Sequence, residues 1–233
     1  MAPIKTPTEL LSIITASAMN DTCFQHILGY LRPGLTEIEI SEEIHRVLKK
    51  LGAEELAFPT IAVAGKNTMN PHGIPSDYKI QDGDFLTMDF GAMVDGYCGD
   101  FTRTVAIGRV TPFMKKIYNI VLASQLAGID ACCHGASLRE VDRASRGIIE
   151  EAGYGKYFVH GTGHGVGTQV HEEPYINTKA TDNEFLKANM AVTIEPGIYI
   201  PGKFGVRIED LVIITSFGVI NTNSSPKELC IIK

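Results

Sequence analysis

At 233 residues, 44% hydrophobic and 21% charged, the chain is long enough for one large domain or two small ones and has an ordinary globular composition. A net charge of −6 and a pI near 5.6 argue against a nucleic-acid groove or an anionic membrane as partner. The five cysteines lack paired or zinc-knuckle spacing, no apolar run approaches membrane-spanning length, and the N-terminal Met-Ala-Pro-Ile-Lys-Thr-Pro lacks the apolar core of a signal peptide, so a reducing, cytoplasmic location is expected.

Thr6-Pro7-Thr8-Glu9 is a capping box with proline at the first helical position, and it predicts a helix running to about Leu31, where Pro33-Gly34 ends it. A second helix starts at Thr36 with Glu39 at the matching position. Its apolar residues Ile40, Ile44, Val47, Leu48 and Leu51 keep helical spacing up to Gly52. Residues 58–64 then read as a strand. Thr111-Pro112 caps a third, long helix, and Ser137 with Glu140 forms the capping box of a fourth. At an offset of 101 residues Gly34 pairs with Gly135, Thr36 with Ser137, Glu39 with Glu140 and Gly52 with Gly153. The segment Thr87-Met-Asp89-Phe-Gly91 recurs as Thr193-Ile-Glu195-Pro-Gly197 at an offset of 106. The expectation is a single domain over 1–233 with an internal repeat, about 6–105 and 111–215. Each half is two helices followed by strands that end in a hairpin carrying two acids, and the halves together make a pseudo-symmetric sheet with helices on one face.

Four carboxylates carry the chemistry: Asp89 and Asp100 in the first half, Glu195 and Glu209 in the second. Asp89 lies among Leu86, Met88 and Phe90, and Glu195 follows Val192, Thr193 and Ile194. Acids in such apolar settings lose solvation and repel one another unless cations neutralise them. Two divalent ions balance four carboxylates, and an imidazole completes a set of five donors. His164, in His160-Gly-Thr-Gly-His164-Gly-Val-Gly, is the candidate. His171 is placed to hydrogen-bond a developing oxyanion, and His72, in Asn70-Pro-His-Gly, to meet substrate. Arg207 shares a strand face with Glu209 and would orient that acid. His26, His45 and His134 sit in helical or turn contexts without such neighbours. An oxygen-rich set with one histidine favours two catalytic ions of manganese, cobalt, zinc or iron, manganese first. Paired ions of this kind bridge a hydroxide and polarise a carbonyl or phosphoryl group, so the residues alone imply a two-metal hydrolase.

These motifs resemble the pita-bread metallopeptidases, which include methionine aminopeptidases, Xaa-Pro aminopeptidases and prolidases. The resemblance covers nearly the whole chain and implies an α+β pita-bread fold: duplicated helix-helix-strand units with a curved antiparallel sheet covered by helices. It implies Asp89, Asp100, His164, Glu195 and Glu209 as metal ligands, with Glu195 also accepting the proton of the attacking water. His171 would stabilise the tetrahedral intermediate and His72 would contact substrate near the scissile bond. His160 and Arg207 look like supporting residues of the Xaa-Pro branch. Glu195-Pro-Gly-Ile-Tyr and Gly205-Val-Arg-Ile-Glu209-Asp also resemble that branch, whereas His72-Gly-Ile-Pro75 and His171-Glu-Glu-Pro are also similar to methionine aminopeptidases. The implied activity is removal of the N-terminal residue from Xaa-Pro peptides by a hydroxide held between two metals, with methionine aminopeptidase as the alternative. A non-catalytic peptide-binding module of the same fold would lack the ligand set, which is complete here. The implied partner is a peptide with a free N-terminus, and a homodimer is left open. One departure is that Xaa-Pro peptidases usually carry a separate N-terminal domain, whereas here the catalytic unit starts within the first ten residues, which implies either a lost or trimmed domain or a compact variant with altered substrate range.

Overall fold

The computed structural model describes residues 3–181 and 183–233; Met1 and Ala2, included in the signal-peptide reading above, lie outside them. Helix α1 (Pro7–Tyr30) is capped by Thr6, whose side chain accepts the Glu9 N–H while the Glu9 carboxylate accepts the Thr6 N–H. The same reciprocal box, Thr36 with Glu39, opens α2 (Glu37–Leu51), which stops at Gly52 in the left-handed region at φ 101°. Strand β1 is shorter than residues 58–64 and spans only Ile61–Ala64. Pro59 has no N–H to give a ladder, and Phe58 and Pro59 instead line a cavity. There follow β2 (Phe85–Asp89), the small ribbon β3 (Met93–Val94) and β4 (Tyr97–Cys98), and β5 (Thr102–Ile107).

The second half opens with α3 (Pro112–Asp130), capped by the Thr111 side chain, and α4 (Leu138–Glu151). Ser137 occupies the N-cap of α4, but its side chain makes no capping bond, so the box read from Ser137 and Glu140 does not form. The backbone supplies the partners instead: the Leu138 N–H donates to Glu184 O, and Ser137 bridges Phe185. The remaining strands are β6 (Gly163–Gly165), β7 (Glu172–Ile176), β8 (Ala191–Ile194), β9 (Gly197–Ile200), β10 (Phe204–Arg207), β11 (Asp210–Thr215), β12 (Gly218–Asn221) and β13 (Ile231–Ile232).

The pita-bread architecture is present, with its strands hydrogen-bonded as two principal sheets, β1-β2-β5-β13 and β12-β11-β8-β6-β7, and two ribbons, β9-β10 and β3-β4. Pairing is antiparallel except where β13 joins β5 in parallel. The order β6-β8-β11 in the second sheet follows β1-β2-β5 in the first, and a bridge between Thr102 and Glu209 joins the halves. Alternation along the strands sorts the two faces. Leu86, Met88, Val105 and Ile107 pack against Phe24, Ile27, Ile40 and Ile44 of α1 and α2, and Val192, Ile194, Val212 and Ile214 pack against Leu138 and Val141 of α4. The opposite parity, Thr87, Asp89, Thr102 and Thr104, faces away from α1 and α2, with Thr87 and Thr104 hydrogen-bonded at 2.9 Å. All five thiols are free, and among the described residues no helix is long and apolar enough to cross a membrane.

Candidate metal centre

Each acid stands where a strand ends or breaks. Asp89 is the last residue of β2, Asp100 precedes β5, Glu195 falls between β8 and β9, and Glu209 between β10 and β11. The register Asp89↔Thr102 leaves Asp100 outside the ladder, so it reaches the site from the turn before β5 rather than from a facing hairpin arm. His164 lies in β6, threaded between β7 and β8. A Cβ on neighbouring Gly163 would sit 1.8 Å from Thr193 O, so close strand packing requires glycine there.

All nine residues singled out by the sequence line one cavity of about 480 Å³. Donor atoms of Asp100, His164 and Glu209 lie within 4.8 Å of one another. His164 Nε2 is 3.3 Å from Glu195 Oε1 and 3.7 Å from Asp100 Oδ2. His164 Nδ1 lies 3.1 Å from Gly165 O, to which it can only donate, so Nε2 carries the lone pair. Burial pushes His164 down to about 4. A neutral imidazole therefore turns a lone pair toward carboxylate oxygens, an arrangement that a cation reconciles.

The carboxyls report the same strain. Burial, then the charges of Glu209, Asp89 and Glu195, push Asp100 well above the usual carboxylate range. Burial and Glu209 do the same to Glu195. Glu209 is pushed up to about 8 by burial and Asp89, against the Thr102 hydroxyl, which donates to its Oε2 at 2.5 Å. Asp89 Oδ1 is buried with no hydrogen-bond partner. Four crowded acids, one orphaned oxygen and one imidazole lone pair form an oxygen-rich donor set that fits divalent cations.

Arg207 differs from its expected role. Its Nη2 donates to Asp89 Oδ2 at 2.6 Å, and it reaches Glu209 only through Thr102, to whose hydroxyl Nε donates at 3.2 Å. Same-face neighbours on a strand stand almost 7 Å apart, so the guanidinium pairs across the seam instead. Arg207 Nη1 also donates to the Tyr199 hydroxyl at 2.8 Å. That hydroxyl lies 2.8 Å from His160 Nε2, and His160 Nδ1 donates to Gly161 O, so Tyr199 donates to His160. Burial, aided by Arg207, pushes His160 down to about 3. Thr102 carries no signal in the sequence, and Tyr199 only its place in the Glu195-Pro-Gly-Ile-Tyr motif. A Cβ on Gly197 would lie 2.5 Å from the Tyr199 hydroxyl, so the ring packs directly over that glycine. His171 packs its ring edge-on to His164, centroids 4.4 Å apart, and burial lowers its pKa. His72 is exposed at the rim, its N–H bonded to Asn70 Oδ1. Phe58, Ile61, Ile74, Pro75, Val170 and Tyr175 make the apolar walls.

The pattern of metallopeptidase family M24 matches residues 12–216. An uncharacterised peptidase of Bacillus subtilis is 41% identical over 98% of this chain and 64% of its own length. The fold superposes on an Xaa-Pro dipeptidase from Bacillus anthracis with a TM-score of 0.95 at 46% identity, covering 98% of this chain and 64% of that one. It superposes equally on an X-Pro aminopeptidase from Thermotoga maritima, TM-score 0.95 at 35% identity, with the same coverage. The chain thus spans just under two thirds of these longer relatives. With the match running from α1 through β11 and the acid-lined cavity at its centre, this chain belongs to metallopeptidase family M24.

Proposed function

We propose that this chain is the catalytic unit of a dinuclear metal-dependent aminopeptidase that hydrolyses the N-terminal bond of Xaa-Pro peptides. The observation that carries the reading is the convergence of Asp89, Asp100, His164, Glu195 and Glu209 on one cavity floor, under charge repulsion that cations relieve. Those five residues would hold the ions, two by charge balance and manganese by donor chemistry. Bound there, the ions would supply Lewis acidity, polarising a carbonyl and acidifying water.

The chain's own groups do the rest. The Glu195 carboxylate takes the proton of the attacking water at a carboxylate oxygen and returns it to the leaving nitrogen. His171, kept neutral, donates a ring N–H to the carbonyl oxygen as it gains charge. Arg207 fixes Asp89, and the Arg207–Tyr199–His160 chain holds His160 in one tautomer on the cavity wall. His72 closes the rim over the substrate. A bond before proline has no N–H to recognise, so selection rests on the ring against the apolar walls and on anchoring of the free α-amino group.

The test is release of the N-terminal residue from Xaa-Pro-Xaa, Xaa-Pro and Met-Ala-Xaa peptides by manganese- or cobalt-loaded protein. Cleavage confined to the proline peptides is expected, and preference for Met-Ala-Xaa would move the chain to the methionine branch. Asp89→Ala and Glu195→Ala should each abolish turnover while the circular dichroism spectrum is kept. Near-normal rates in either variant would remove the metal-centre assignment.

A further inference from the structure

We propose that Lys5 is a positioning residue for His171, acting through Glu172 from the segment that precedes the first helix. That segment is tied to the second sheet before α1 begins: Ile4 bridges Met190, and the Lys5 N–H donates to Asn189 O at 2.8 Å. The Lys5 side chain is only 1% exposed, and its ammonium lies 3.1 Å from Glu172 Oε2, in a carboxylate side chain 8% exposed. Two charges so deeply buried strongly prefer each other to any unpaired state.

Glu172 is the hub of the loop that carries His171. Its second oxygen, Oε1, accepts the Gln169 N–H at 3.1 Å. The Gly167 N–H donates to Gln169 O at 3.0 Å, and the Cys98 N–H donates to Gly167 O at 2.8 Å. A Cβ on Gly167 would fall 2.5 Å from both carboxylate oxygens, so the loop is wrapped against the Glu172 carboxylate itself. His171 is the adjacent residue. Among the described residues its ring has the His164 ring as a packing neighbour and no hydrogen bond of its own. The aim of that imidazole into the cavity therefore depends on the backbone that bears it. The backbone depends on Glu172, and Glu172 on Lys5. Catalytic groups held by such supports lose rate when displaced by about 1 Å, without losing their chemistry.

The consequence for rate rests on the peptidase reading above; the geometry of the loop does not. In manganese-loaded protein acting on an Xaa-Pro-Xaa peptide, Lys5→Met should lower kcat by about tenfold with KM and metal content unchanged. That is less than the roughly hundredfold or more expected for His171→Ala, which removes a donor outright. The deciding comparison is the double variant: Lys5→Met should have no further effect in the His171→Ala background. Multiplicative losses would overturn the proposal and leave Lys5 a general structural residue. Amide hydrogen exchange gives a second reading that needs no activity. Lys5→Met should raise exchange in residues 166–171 and leave α1 and β8 unchanged, and unaltered protection of that loop would also overturn it. Should Lys5→Met fail to fold, Lys5→Met with Glu172→Gln removes both charges and carries the same two comparisons. Wild-type protein inactive on every peptide would defeat the peptidase reading, with the exchange result still deciding this one.

Discussion

The four acids that line the cavity were legible as residues because their surroundings made them unfavourable. A carboxylate beside Leu86, Met88 and Phe90 calls for a cation in a way that a turn aspartate does not. The roles of Tyr199 and Thr102 were not legible, since tyrosine and threonine are ordinary strand residues, and their place in the chain from Arg207 to His160 and Glu209 exists only after folding. The same crowding sets a pH dependence. Glu209 is held near 8 against an ordinary 4.5, so between those values the folded metal-free protein keeps a proton that the unfolded chain releases. Stability of the metal-free protein should therefore fall as pH rises from about 4.5 to 8. Manganese should raise the melting temperature more at pH 8 than at pH 5, and its uptake near neutrality should release protons. Asp100→Asn should stabilise the metal-free protein and abolish the manganese-induced rise. Scanning calorimetry at both pH values checks these points, and a metal-free protein equally stable at pH 5 and 8 would contradict them.

Elements were legible wherever local chemistry set them. The helices begin at their caps, and Gly52 ends α2. Two features were not. Residues 58–60 were read as strand but line the cavity, and the capping box at Ser137 is replaced by backbone bonds from residues 184 and 185. Both reflect tertiary contacts that no local window contains. The helix starts therefore differ in what they lose. Thr36→Ala removes a side-chain cap and should cost about 1 kcal/mol, whereas Ser137→Ala removes no capping bond and should cost markedly less. Urea unfolding of the two variants measures the difference, and equal losses would contradict the assignment of the caps.

At the scale of the molecule, the duplicated motif in the sequence implied one pseudo-symmetric sheet, whereas the strands hydrogen-bond as two sheets of like order, and the seam joining them emerged only from the fold. Arg103, fully buried, donates from β5 to Glu209 O, to Asp210 Oδ1 at 2.7 Å and to Ser225 O and Pro226 O, tying together both halves and the final segment. Arg103→Ala leaves the buried Asp210 with only the partly exposed Lys227 as counter-charge and should destabilise by about 3 kcal/mol, read as a lower urea midpoint. The seam also brings Asp100 and Glu209 within reach of one ion, so neither half could work alone. The decisive measurement is a manganese titration of metal-free protein, following hydrolysis of an Xaa-Pro-Xaa peptide at each addition. Activity should climb and break at about two equivalents per chain, and remain absent throughout in Glu195→Ala. Silence at every occupancy, or full activity in Glu195→Ala, would contradict a dinuclear aminopeptidase.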